Sequence, residues 1–176
     1  QMKAMFKDCS LLSSIDLSLF STSQVSDMSE MFSGCSALTS ISISSFDTKK
    51  VTTMSQMFKG SGLKKIDLSK FENIAVTDLS GMFSSCSSLT SLTLSDKFTS
   101  NLVTNMAELF NGCAGLSNID LSKFDTSSVT DMSGMFKGCA GLSNIDLSKF
   151  DTSSVTDMSG MFKGCAGLSN IDLSKF

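Results

Sequence analysis

One dipeptide recurs along this chain at a nearly constant interval. It stands at Met5-Phe6, Met31-Phe32, Met57-Phe58, Met82-Phe83, Leu109-Phe110, Met135-Phe136 and Met161-Phe162. The intervals are 26, 26, 25, 27, 26 and 26 residues. Residues 124–149 and 150–175 are identical, both reading FDTSSVTDMSGMFKGCAGLSNIDLSK. A period of this length is the mark of a solenoid, in which each unit buries its apolar face only against its neighbours. Seven units of this size fill the 176 residues and leave no room for a linker or second domain. Residues 1–176 are therefore expected to form one repeat domain. Gln1 falls where Asp131 falls in a later unit, so a fragment of a longer array is expected.

Each unit holds two apolar patterns. Leu116, Ile119 and Leu121, followed by Phe124, put Asp120 between two apolar residues, as in a short strand with one buried face. Val129, Met132, Met135, Phe136 and Cys139 follow spacings of 3, 3, 1 and 3, which share one face of a helix. Ser128 and Asp131 resemble a capping box ahead of that helix, and Gly141 suits its exit. The expected fold is an α/β solenoid of the leucine-rich-repeat type, with seven coils of a short parallel strand and a short helix. Stacked strands rise roughly 4.8 Å per coil, giving a rod of roughly 34 Å. Residues at one repeat position then become ladders along the rod.

The ladders decide how the chemically suggestive residues are read. Cys9, Cys35, Cys86, Cys113, Cys139 and Cys165 share one repeat position, which Ser61 takes in the third unit. Parallel side chains one coil apart keep their Cβ atoms about 4.8 Å apart, beyond the roughly 3.5–4.5 Å of a disulfide. A column of small core thiols is expected instead. There is no His, and a column does not converge as a tetrahedral metal site requires. The methionines alternate with leucine at equivalent positions (Met28, Met54, Leu79, Met106, Met132), which core packing tolerates. Serines abound, but no His can activate one, and no phosphate-cradling glycine motif occurs. No catalytic residue, cofactor or metal is assigned, and the chain is read as a non-enzyme.

Asp16, Asp67, Asp120, Asp146 and Asp172 share the strand position between two apolar residues and are expected on the outward face. Asn118, Asn144 and Asn170 precede the last three by two residues, and Lys123, Lys149 and Lys175 follow them by three. The bland reading is a solvated polar face whose charges the lysines partly balance. The sharper one is an interaction strip for a ligand, or for Ca²⁺, which favours hard oxygen donors. Asp47, Asp125 and Asp151, and separately Asp27, Asp78, Asp131 and Asp157, are read as turn and helix-start residues.

Net charge is −3, without the basic stripe that nucleic acid requires. No apolar run approaches the roughly 18 residues of a membrane span.

The segment V-T-D-M-S-G-M-F-x-G-C, at 129–139 and 155–165, together with L-x-x-I-x-L, resembles the BspA-like leucine-rich repeat, a 26-residue repeat of bacterial surface proteins. The resemblance spans the whole chain. It implies extracellular display at the cell surface and a part in adhesion, with an unknown protein or glycan partner meeting the strand face. Head-to-tail self-association into a filament or surface layer is the alternative.

Overall fold

The computed structural model describes residues 1–176 as one stack of coils around a continuous core of 42 buried apolar residues. The repeat position decides burial. Val129, Met132, Met135, Phe136 and Cys139 are all buried together, as their spacing requires.

They do not lie on a helix; the structure contains none. The helix expected in each coil is replaced by a chain of tight turns. In residues 132–139 the backbone N–H groups alternate between two destinations. Met135, Lys137 and Cys139 donate within their own coil, to Met132, Gly134 and Phe136, at 3.2, 3.0 and 3.1 Å. Met132, Gly134, Phe136 and Gly138 donate to the next coil, to Asp157, Ser159, Met161 and Lys163, at 2.8 to 2.9 Å. An α-helix would send every one of these donors four residues back. Here half of them bind coil to coil.

The reason is legible at two positions. Gly134 and Gly138 have φ of 60° and 73° and sit third in the turns 132–135 and 136–139, as type II geometry demands. A left-handed residue at every fourth position cannot continue a right-handed helix. Chained three-residue turns also return to one face at steps of three and four, so the apolar spacing fits them equally well. The supposed capping box falls with the helix. Ser128 Oγ donates to Asn101 O of the preceding coil, and Asp131 Oδ1 accepts from Ser133 N in a local turn. Gly141 is no helix exit either. A Cβ there would lie 2.4 Å from Ala114 O, so the residue permits close approach of two coils.

Parallel bridges continue this turn side from coil to coil, through Asp27, Thr53, Asp78, Asn105, Asp131 and Asp157. The opposite side is looser. Only β1 (Lys65–Leu68) and β2 (Ser91–Leu94) form a paired parallel ladder, with Asp67 opposite Thr93. The remaining strand segments are not paired as strands. Asp120, Asp146 and Asp172 would place like charges side by side there, which disfavours pairing. That is not the whole account, because Ser42 faces Asp67 and that interval is open too.

A column of phenylalanines runs the length of the core. Phe6, Phe32, Phe58, Phe83, Phe110, Phe136 and Phe162 stack with centroids 5.3 to 6.0 Å apart and planes within 12°. Together with the turn-side hydrogen bonds it sets the coil spacing.

Candidate functional site

The strand face carries Asn118, Asp120, Asn144, Asp146, Asn170, Asp172, Asp16 and Asp67, all exposed. Each aspartate does local work. Its Oδ1 accepts the N–H of the serine two residues on: Ser18, Ser69, Ser122, Ser148 and Ser174, at 2.8 to 2.9 Å. These Asx turns bend the chain out of the strand segment toward the next core phenylalanine. Hydrogen bonding from Ser122 holds the Asp120 carboxyl below its usual range, and Ser148 does the same for Asp146. The face is therefore a row of ionised carboxylates, each with one oxygen left for a partner.

Between the coils this face is cleft. One shallow cleft is lined by Asn144, Ile145, Asn170, Ile171 and Asp172. Another lies between Leu92–Leu94 and Asp120, with Asp96 and Lys123 at its edge. A third joins Ile41–Ser44 to Asp67 and Lys70. The isoleucines in these clefts were not marked as site residues by sequence, because a buried strand face was expected to close over them.

The calcium strip does not assemble. A coil contributes at most one carboxylate at this strand position, where Ser42 and Thr93 stand in two coils, and nowhere do three or more acidic, Cys or His side chains gather as a metal's ligands. A Ca²⁺ ion needs six to eight oxygens converging on one point. Lys123 also turns aside, pairing with Asp96 at 3.0 Å.

The cysteines are free thiols in a column. Cys35, Cys86, Cys113 and Cys139 are buried and Cys165 half-buried. Cys9, expected in the core with them, is exposed. Each inner thiol donates across one coil to a phenylalanine carbonyl. Cys35 reaches Phe6 O, Cys86 Phe58 O, Cys113 Phe83 O, Cys139 Phe110 O and Cys165 Phe136 O, at 3.0 to 3.1 Å. Burial pushes the Cys139 thiol up to about 12, and Cys113 further in the same direction. Burial thus holds the Cys113 and Cys139 thiols protonated.

The model for the family described as "Mycoplasma protein of unknown function, DUF285" matches residues 1–99 and 92–176. The chain belongs to this family. No curated protein matches it. Among solved structures, this DUF285 chain is similar to a leucine-rich repeat protein from Bacteroides ovatus, at 23% identity and a TM-score of 0.47, covering 94% of this chain and 50% of that one. A leucine-rich repeat protein from Eubacterium ventriosum shares 21% identity, with a TM-score of 0.46 over 83% of this chain and 41% of that one. A leucine-rich cell surface protein from Faecalibacterium prausnitzii shares 21%, with a TM-score of 0.42 over 83% and 44%. The chain thus spans half or less of the length of these structures. No helix of the DUF285 chain is long and apolar enough to cross a membrane.

Proposed function

We propose that this DUF285 chain is an extracellular repeat module that binds a protein or glycan partner through its strand face. The observation that carries the reading is the row of exposed Asp and Asn above open clefts. Unpaired backbone in those clefts and one free oxygen on each strand-face aspartate offer hydrogen bonds to a partner's hydroxyls or amides. The BspA-like resemblance, V-T-D-M-S-G-M-F-x-G-C, supports surface display and adhesion. The role is binding, not catalysis: the abundant serines have no base, and the buried thiols are held protonated.

The test is a glycan array and a panel of host surface proteins, probed with the 176-residue chain. A variant with Asp120, Asp146 and Asp172 changed to Ser removes the charged row, and Ser42 already fills this position in one coil. Binding that the triple variant loses supports the strand face. Binding that the triple variant keeps sinks it. Fibres in negative-stain images of the purified chain would favour the filament instead.

A further inference from the structure

One rim of the stack departs from the repeat in the middle coils. Two residues follow the position of the buried clip side chain in each coil: Ser23-Gln24, Lys49-Lys50, Ile74-Ala75, Asn101-Leu102, Ser127-Ser128 and Ser153-Ser154. The identical copies put serine at both. The middle coils put Ile74 and Leu102 there, 54% and 48% exposed. They are not displaced core residues, because Val76 and Val103 beside them already fill the core completely. Lys49 and Lys50 hold the same two positions one coil before Ile74. Glu72 accepts Lys97 at 3.1 Å and lies 3.8 Å from Lys49, which joins successive coils into one surface. A shallow groove runs between Asp47, Lys49, Lys70 and Glu72.

Charge is segregated in the same way. Residues 49–97 hold seven lysines against four carboxylates. Residues 1–48 hold two against five, and residues 98–176 five against eight. The basic centre of an acidic rod thus contains Ile74, and Leu102 lies one coil beyond it.

We propose that this rim docks a short acidic polypeptide segment carrying aliphatic side chains. The lysines select carboxylates and steer them in. Ile74 and Leu102 require an apolar counterpart, which a sulfated sugar does not supply. A flat anionic membrane fits poorly, because it would meet the acidic flanks as well. Asp125 and Asp151 on the same rim are kept ionised by hydrogen bonds from Ser127 and Ser153. The rim groove meets a strand-face cleft at Lys70, but Ile74, Leu102, Lys49 and Lys50, on which the test turns, line none of those clefts, so the inference stands independently of the proposed strand-face function.

The test uses the whole chain and two fluorescein-labelled peptides of equal charge, one of Glu and Leu and one of Glu and Ser, followed by fluorescence anisotropy. The Glu/Leu peptide is expected to bind at least about tenfold more tightly, as expected for burying two aliphatic side chains. Changing Ile74→Ser with Leu102→Ser should remove that advantage. Changing Lys49→Ser with Lys50→Ser should weaken both peptides and flatten the salt dependence. Serine occupies these positions at 127–128 and 153–154, so the variants install the repeat's own residues, and unchanged melting temperatures would verify folding. Four results would overturn the proposal. They are no peptide binding at low salt, equal binding of the two peptides, indifference to the Ile74/Leu102 pair, or tighter binding of heparin fragments or phosphatidylserine vesicles through these residues.

Discussion

At the scale of single residues, a buried hydroxyl clips each coil to the next. Thr126 Oγ1 donates to Asp151 O at 2.9 Å and accepts from Asp151 N at 2.8 Å. Thr22, Thr48 and Ser100 make the same pair of bonds with Asp47, Glu72 and Asp125. Asn73 occupies this position and makes neither; both its side-chain polar atoms are buried without a partner. The following coil carries one extra residue between Leu94 and Phe98, just ahead of Thr99, where the clip would land. An unsatisfied buried amide costs about 1–3 kcal/mol. Asn73→Thr is therefore expected to raise stability by about 1–2 kcal/mol, read from urea midpoints. An unchanged midpoint would place the fault in the insertion, not in the side chain. A second consequence follows from the Asx turns. Asp16, Asp67, Asp120, Asp125, Asp146, Asp151, Asp157 and Asp172 all have folded pKa values lowered by hydrogen bonds from the serine two residues on. A lowered folded pKa gives stability that is present above the unfolded value of about 4 and lost as pH falls through the folded one. Urea midpoints should stay level from pH 7 to 5 and decline below about pH 4. Asn at positions 125 and 151 keeps the turn acceptor but cannot titrate, so that double variant should lose less on acidification.

At the scale of the element, strand and turn exchange their expected roles. The segment read as a helix is the one that binds the coils together, and the strands are mostly unpaired. Far-UV circular dichroism should accordingly lack the paired minima of helix near 208 and 222 nm, although a helix in each coil would place about a third of the residues there. A clear helical spectrum would overturn the turn assignment. Which side chains face inward was legible, since Met132, Met135, Phe136 and Cys139 are buried as their spacing implies. The backbone behind them was not, because helix and chained turns share nearly the same apolar period. The distinguishing signal lay in the glycines. Gly134 and Gly138, four apart, line up with Glu30 and Gly34, and with Glu108 and Gly112, all at positive φ. Non-glycine residues in that column obscured the pattern. On the strand face, the exposed column of Asp120 and its copies was legible from alternation. The clefts were not, because strand pairing depends on coil spacing fixed on the other side.

At the scale of the whole molecule, each coil contacts only its neighbours, so a lesion is felt according to its place in the stack. Phe136 lies between Phe110 and Phe162, with centroids 5.7 Å away on both sides. Phe136→Ala should cost about 3–5 kcal/mol, and Phe162→Ala, half-buried, distinctly less. Paired urea titrations check the order. The thiols report on the same stack without mutation. Cys9 is exposed and Cys165 half-buried, whereas Cys35, Cys86, Cys113 and Cys139 are buried. Each of the last four donates to a carbonyl one coil back, so reaching it requires separating two coils. The Cys139 thiol, pushed up to about 12, has almost no thiolate at pH 8 even when a reagent arrives. Under a disulfide reagent the native chain should lose Cys9 promptly, then Cys165. The remaining four should react only as the stack opens. Their common rate should rise with urea in step with global unfolding, since the Phe column and the turn-side hydrogen bonds between coils run unbroken past all four. Separate rates for these thiols would instead show a stack that opens between particular coils, with the weak joint beside the fastest thiol.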